Sequence, residues 1–275
     1  MKYKILNNEI EITDLPDFDP EKTFECGQCF RWEKEKNGLY AGVAFGKVLR
    51  LRKSGSSIFI SCSKDDFDNI WRNYFDMDRD YESIRQKLCI DDFMRNCTAF
   101  GAGIRILKQD KWEALCSFII SQNNNIPRIK KIIDVLCCDF GEAILFEGNK
   151  YYSFPSADSL AVLNADDLFS LRCGYRAAYI INAAKKVATG ALSLDTIGEL
   201  SPADARRVLL ALYGVGRKVA DCFMLFGLNM LDTFPRDVWI SRAIVENFND
   251  DFDPCVFTPY AGIAQQYIFH YIRNK

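Results

Sequence analysis

Lys218 and Asp237 are the residues whose types and local setting best suit covalent chemistry. Lys218 lies in the first turn of a helix that we expect to begin near Val215, where the positive end of the helix dipole disfavours an ammonium. The neutral amine favoured there is the nucleophilic form. Asp237 is placed to cap the following helix and should therefore stay ionised. A nucleophilic amine near a fixed carboxylate can attack a carbon while the carboxylate stabilises the positive charge that develops beside it.

Two helices joined by a glycine-containing turn must position the lysine. Ser201 and Pro202 are typical of a helix start, and apolar residues then recur at helical spacing up to Gly214, which we expect to stop the first helix. The helix-hairpin-helix is predicted to span about residues 203–227. Gly214 and Gly216 let the backbone bend sharply and approach a ligand. The free amides at the start of the second helix favour an anion such as a phosphodiester.

The elements around the hairpin indicate an α+β fold. The N-terminal segment alternates apolar and polar residues, and turn sequences at Asn37-Gly38 and Ser54-Gly55-Ser56 predict an antiparallel sheet that is mostly a meander. From about Asp65 the apolar spacing becomes helical. We therefore predict that residues 1–100 form an antiparallel sheet with flanking helices. Residues 101–275 should form two mostly helical subdomains that carry the helix-hairpin-helix.

Composition and charge narrow the class of protein. The 275 residues are 49% hydrophobic, which is typical of a folded chain, and no apolar run is long enough to span a membrane. The N-terminus alternates and carries acids, unlike a signal peptide, so we expect a cytoplasmic location, at the nucleoid if the source is bacterial. The formal net charge of −2 is unusual for a nucleic-acid protein. Basic residues nevertheless concentrate near the hairpin, which favours a modest, salt-sensitive affinity for nucleic acid.

The eleven cysteines do not indicate a metal site. Most lie in apolar segments, as buried thiols do in a reducing compartment. Cys26 and Cys29 form the one C-x-x-C, and His270 is the one histidine, so a structural zinc site is not expected. After the hairpin only Cys222 and Cys255 remain, too few to hold an iron–sulfur cluster. We therefore expect no required cofactor.

The hairpin sequence Leu-Tyr-Gly-Val-Gly-Arg-Lys followed by Pro-Arg-Asp-Val resembles the helix-hairpin-helix, Gly/Pro-rich, Asp signature of base-excision DNA glycosylases. A lysine at the position of Lys218 marks the bifunctional members of that superfamily, which also cut the strand. Further segments resemble, in order, the pattern of one family, 8-oxoguanine DNA glycosylase/AP lyase. These segments are residues 27–32, 121–128, 174–176, 218–222 and 259–265.

The resemblance implies a role for each matching residue. Lys218 would attack the sugar C1′ and form a Schiff base, and Asp237 would stabilise the charge on the sugar. The flipped purine would be held by four residues: Gly27, Cys222, Gln265 and Phe269. The opposite cytosine and the duplex would be contacted by Asn123, Arg128, Tyr175 and Arg176. A phosphate would bind the amides of Gly214 and Gly216, and a structural monovalent cation would bind carbonyls of Leu210, Leu212 and Val215.

Two departures from the family pattern bear on these expectations. Trp239 stands where the best-known members carry a histidine that helps to hold the DNA backbone, and Cys29 replaces a usual serine. The expected partner is double-stranded DNA that contains oxidised guanine, bound by a monomer that does not contact a membrane. Two alternatives remain open from the sequence. They are a non-catalytic helix-hairpin-helix DNA-binding module and an alkylated-base glycosylase on the same fold, although the latter lacks the lysine.

Overall fold

The computed structural model describes residues 1–7, 9–248 and 252–275. Within these residues, six strands form an antiparallel sheet in the spatial order β1-β2-β6-β5-β4-β3. The strands are β1 (Lys2–Leu6), β2 (Glu9–Thr13), β3 (Trp32–Lys34), β4 (Tyr40–Ala44), β5 (Lys47–Ser54) and β6 (Ser57–Ile60). Strands β3 to β6 pair in sequence, and the turns lie at Asn37-Gly38 and Gly55 as expected, with both glycines in the left-handed region. The predicted meander is therefore confirmed.

Short helical segments cover one face of the sheet. They are α1 (Pro20–Glu25), α2 (Lys64–Asp66), a π-helical turn (Phe67–Trp71) and α3 (Arg72–Tyr74); two further helices, α4 (Tyr81–Leu88) and α5 (Asp92–Phe100), follow. Helix α1 was not anticipated from the sequence, although Asp19 caps it and Pro20 opens it. The ring of Trp32 on β3 stacks on Phe24 of α1, with centroids 4.2 Å apart, and meets Trp71 edge-on. Aromatic packing of this kind closes the first core between the sheet and its helices.

The rest of the chain is mainly helical. Its helices are α6 (Lys111–Ile120), α7 (Ile126–Phe140), α8 (Ala157–Ala161), a 3₁₀ helix (Ala165–Leu171), α9 (Arg176–Ala188), α10 (Leu194–Glu199), α11 (Pro202–Leu210), α12 (Arg217–Phe226), α13 (Val238–Asn247), a second 3₁₀ helix (Pro254–Phe257) and α14 (Ala261–Asn274). A two-stranded hairpin, β7 (Ala143–Phe146) with β8 (Asn149–Tyr152), follows α7. Among the described residues, no helix is both long and apolar enough to cross a membrane.

The structure corrects two local expectations and adds one element that the sequence did not predict. The apolar spacing predicts one helix over 158–170, but α8 ends early and a 3₁₀ helix follows, because Asn164 starts a new capped turn. The hairpin of β7 and β8 was not anticipated, since Leu145 points to solvent and the short strands lack a buried face. In the helix-hairpin-helix, α11 ends at Leu210 and α12 begins at Arg217, so Gly214 lies within a longer turn.

The sheet and the helices are joined by packing that crosses the boundary near residue 100. Helices α4 and α5 bury Ile84, Leu88 and Met94 in the helical core rather than against the sheet. The C-terminal helix α14 lies against α5, where the ring of Tyr267 occupies the space beside Gly101. Through this contact, α14 packs against the N-terminal part of the chain. The residues of α14 therefore lie beside the loop that follows α1.

Candidate active site

Lys218 and Asp237 line the same cleft, which has a volume of about 1080 Å³. At its floor is a recess of about 50 Å³, and both residues line this recess as well. Gly27, Phe118 and Phe269 also border both spaces, so the recess opens from the cleft. The structure therefore brings together the amine and the carboxylate that the sequence places on separate helices.

The Lys218 side chain is held by α6 as well as by its own helix. Gly216 is the N-cap of α12 and offers no capping side chain, so Lys218 falls in an open first turn. Its Nζ donates to the Ser121 hydroxyl at 3.1 Å and lies 5.7 Å from the centre of the Phe118 ring. Neither Ser121 nor Phe118 was among the candidate site residues, because nothing in their local spacing signals contact with a lysine far along the chain.

Asp237 caps α13 as expected. Its Oδ1 accepts the Ile240 amide at 2.8 Å, which fixes the carboxylate at the rim of the recess. A carboxylate at a helix N-terminus is also favoured by the helix dipole. The arrangement places a helix-capping carboxyl group and a primary amine on the lining of one recess, as a reaction with a cationic transition state requires.

The recess is bordered by all four residues expected to hold a base: Gly27, Cys222, Gln265 and Phe269. Gly27 adopts a left-handed φ of 84°, and a Cβ there would lie 3.4 Å from Cε1 of Phe269. Burial raises the pKa of the Cys222 thiol, while the nearby Lys218 side chain opposes that rise. The Oε1 atom of Gln265 is buried and has no hydrogen-bond partner among residues 1–7, 9–248 and 252–275. A buried acceptor of this kind is costly and marks a place where a ligand donor is missing.

Two buried glutamines fix the loop that carries Gly27. The Gln28 side chain donates to the carbonyls of Thr23 and Arg105 and accepts the Leu107 amide at 2.9 Å. Gln266, on α14, donates to the Cys26 carbonyl at 2.7 Å. These bonds tie the loop after α1 to two distant parts of the chain, the segment around Arg105 to Leu107 and helix α14. Gln266 was not among the sequence candidates, since its role depends on a contact with a residue at the other end of the chain.

The residues expected at the opposite base divide into two groups. Asn123 and the half-exposed ring of Tyr175 line the cleft. Arg128 lies at the start of α7, and its guanidinium donates to the Arg172 carbonyl at 3.2 Å. Arg176 is 5% exposed, and neither it nor Arg128 lines the cleft in the DNA-free protein. The Arg176 guanidinium donates hydrogen bonds to the backbone carbonyls of Gln122, Asn123 and Cys173. These bonds fix the loop that carries Asn123.

The two glycines of the hairpin turn differ in conformation and in surroundings. Gly214 has a φ of 80°, and a Cβ there would overlap the Tyr179 ring, so packing and conformation both require glycine. Gly216 has a negative φ and open space around it, so its backbone is accessible to a ligand. Beneath the turn, Arg206 of α11 bonds the buried Asp221 of α12 at 2.6 Å, which joins the two helices.

The backbone carbonyls of the turn are the candidate cation ligands. Carbonyl oxygens are hard donors, which suit a monovalent or alkaline-earth ion better than a soft metal. The Leu212 carbonyl accepts the Val215 amide at 3.1 Å. In the part of the chain that the structure describes, no backbone amide outside the helices donates to the carbonyls of Leu210 or Val215. These oxygens therefore have capacity left for a cation.

The cleft is more basic than the whole protein. Arg217, Arg236 and Arg273 line it. Arg217 is one of the basic residues near the hairpin that the sequence places on the DNA-facing half, whereas Arg236 and Arg273 were not anticipated. Trp239 lines the same cleft, and the guanidinium of Arg242 lies 5.7 Å from the centre of its ring. Because these cations surround a concave surface, they provide a local positive field despite the overall charge of −2. The cleft is thus suited to a polyanion.

Comparison with known proteins agrees with this geometry. Residues 11–115 match the family model of the 8-oxoguanine DNA glycosylase N-terminal domain, and residues 116–251 match that of the HhH-GPD superfamily base excision DNA repair proteins. The chain is 33% identical over 250 residues to the N-glycosylase/DNA lyase of Saccharomyces cerevisiae, a match that covers 82% of this chain and 66% of the yeast protein. The chain thus spans about two thirds of that relative's length.

Two solved structures are similar along the whole chain. One is MBOgg1 in complex with a low-affinity DNA ligand, at 40% identity and a TM-score of 0.94, covering 100% of this chain and 99% of that one. The other is the Clostridium acetobutylicum 8-oxoguanine glycosylase/lyase in complex with double-stranded DNA containing cytosine opposite 8-oxoguanine. It is 35% identical with a TM-score of 0.94, covering 100% of this chain and 98% of that one.

Proposed function

This chain belongs to the 8-oxoguanine DNA glycosylase/lyase family, and we propose that it excises 8-oxoguanine from duplex DNA through a Lys218 Schiff base and then cleaves the strand. The observation that carries the proposal is that Lys218 and Asp237 border one recess together with Gln265 and its unpartnered oxygen. A non-catalytic DNA-binding module has no need of such a recess. An alkylated-base glycosylase has no need of an amine within it.

The first step breaks the bond between the sugar C1′ and N9 of the base. As that bond lengthens, C1′ and the ring oxygen acquire positive charge, and the Asp237 carboxylate stabilises it. The Lys218 nitrogen bonds to C1′ and loses a proton, while the base leaves with the electron pair of the broken bond and takes up a proton. The sugar ring then opens: the C1′–O bond breaks, the ring oxygen leaves with its electron pair and takes up a proton, and the nitrogen lone pair forms a protonated imine between Lys218 and C1′.

The second step cuts the strand by β-elimination. The imine withdraws electrons from C1′ and makes the C2′ hydrogen acidic. Loss of that proton forms the C2′–C3′ double bond, and the 3′ phosphate leaves with the electron pair of the C3′–O bond. Water then hydrolyses the imine, which returns Lys218 as a free amine. The same residue therefore serves both activities.

The base must leave the duplex and enter the recess before this chemistry can start. Gln265 would bond the Watson–Crick edge, and Cys222 and Phe269 would lie on the two faces of the purine. The Gly27 carbonyl would accept N7–H, a donor that 8-oxoguanine has and guanine lacks. The recess measures about 50 Å³, so it can hold water when no base is bound, and that water would be displaced as the base enters.

The rest of the duplex would lie across the basic cleft. Asn123 and Arg128 would contact the opposite cytosine, and Tyr175 would wedge into the stack. Contact of Arg176 with that base would require its bonds to the backbone carbonyls to break. Gly216 and the free amides of α12 would hold a phosphate, and Trp239 would offer its indole N–H where relatives use a histidine. We propose further that the hairpin carbonyls bind a monovalent cation and that the enzyme acts as a cytoplasmic monomer.

Borohydride trapping tests the proposal. Incubation with an 8-oxoguanine:cytosine duplex and borohydride should give a covalent protein–DNA complex, because borohydride reduces the imine to a stable amine. Lys218→Gln should abolish the complex, since an amide cannot form an imine. Lys150→Gln, which removes an exposed lysine of β8 away from the cleft, should trap like the parent protein. Undiminished trapping by Lys218→Gln would refute the role of that lysine.

A further inference from the structure

Ser121 ends α6 and faces the catalytic lysine. It is the C-cap of the helix, and its backbone amide bonds the carbonyls of Ser117 and Ile119. The residue is 9% exposed and lines the cleft beside Lys218. Its position is therefore set by the helix and not by the ligand.

The direction of the Ser121 hydrogen bonds is defined. Its hydroxyl donates to the Phe118 carbonyl at 2.8 Å, so its one proton is already used. The oxygen can then only accept, and it accepts from Nζ of Lys218 at 3.1 Å. The remaining neighbours of Nζ are less directional, because a ring face and a thiol restrict an amine weakly. Ser121 is thus the contact that sets the orientation of the nitrogen.

Orientation matters because a neutral amine has two N–H bonds and one lone pair. If one N–H is held on the Ser121 oxygen, the rotation of the amine about its terminal carbon is restricted. The lone pair then keeps a limited range of directions, and the open side of Nζ is the recess that Asp237 also borders. Reactions between groups held in this way gain rate chiefly from avoided loss of entropy.

We propose that Ser121 is a positioning residue that aims the Lys218 lone pair at the sugar C1′. This inference rests on the proposed function, because it concerns the same lysine. Ser121 does not contact the substrate in this role and acts through Lys218. Its contribution should fall on imine formation and leave DNA binding unaffected.

The test separates these two steps. A duplex with a preformed abasic site isolates imine formation from base removal, and single-turnover borohydride trapping measures its rate. Ser121→Ala should lower this rate by about 10- to 100-fold, the range expected for a misplaced reacting group. Ser121→Thr, which keeps the hydroxyl, should restore most of the rate. Affinity for a duplex with a tetrahydrofuran abasic analogue, which cannot form an imine, should stay within about twofold of the parent.

Ser117→Ala is the matched control, since Ser117 is buried one turn earlier on the same helix and does not line the cleft. It should trap at the parent rate. Trapping at the parent rate by Ser121→Ala would overturn the inference. The inference would also be overturned if the lower trapping rate of Ser121→Ala came with an equally large loss of affinity for the abasic analogue, or with a lower melting temperature. The role of Ser121 would then be structural. If Lys218→Gln still trapped, the proposed function would fail. If Lys218→Gln did not trap and Ser121→Ala trapped at the parent rate, only this inference would fail.

Discussion

Replacing Gln265 by methionine should stabilise the DNA-free protein and impair catalysis. The Oε1 atom of Gln265 is buried without a partner, and such an acceptor costs about 1–3 kcal/mol. Methionine has nearly the same length, so it fills the space without leaving a cavity. We expect a gain of about 1 kcal/mol, the lower limit, because the recess of about 50 Å³ can admit a water that partly satisfies the oxygen. That gain corresponds to a rise in melting temperature of about 2–4 °C.

Excision should change in the opposite direction. Loss of the bond to the base edge should lower the single-turnover rate on 8-oxoguanine by about 10- to 100-fold, the equivalent of about 1.4–2.8 kcal/mol. Gln266→Met is the matched comparison, because Gln266 is the next residue on α14 and is also buried, but it donates to the Cys26 carbonyl at 2.7 Å. That variant should lose about 1–3 kcal/mol, since the carbonyl is left unpaired.

Thermal denaturation and single-turnover excision measure the two effects. The reasoning is refuted if Gln265→Met lowers the melting temperature as Gln266→Met does, because the free oxygen would then not be a cost. It is equally refuted if Gln265→Met excises 8-oxoguanine at the parent rate.

Three further predictions concern the DNA surface. Gly214→Ala should destabilise the protein by more than about 2 kcal/mol, because Gly214 has a positive φ and a Cβ there would overlap the Tyr179 ring. Gly216→Ala should change the stability by less than about 0.5 kcal/mol and weaken DNA binding severalfold. Denaturation measures the first effect and DNA titration the second. Trp239→Ala should weaken DNA binding severalfold but still trap at saturating DNA, because its exposed indole lines the cleft. If titration gave the variant and the parent protein equal affinities for DNA, this prediction would be wrong. Arg128→Ala should bring the excision rates opposite the four bases closer together, and an unchanged preference for cytosine would remove that assignment.

Sequence reasoning succeeded where short-range chemistry determines structure. The cap by Asp237, the cap by Ser201 and the turn glycines of the meander are all confirmed, because each depends on bonds within a few residues. The same locality places Lys218 in the first turn of α12, although the helix starts two residues later than expected. Sequence reasoning failed for the 3₁₀ helix after α8, because the spacing of its apolar residues does not differ enough from that of an α-helix.

The residue types of the active site were determined by the sequence, but its construction was decided only by the tertiary structure. Gly27, Lys218 and Gln265 belong to three elements far apart in the chain, and they meet because α14 packs back onto the N-terminal part. The same packing leaves Gln265 with a free acceptor, and folding of the cleft places Ser121 against the lysine. The periodicity of apolar residues shows which face of a helix is buried. It does not show which distant side chain will contact that face, because that contact depends on how whole elements pack.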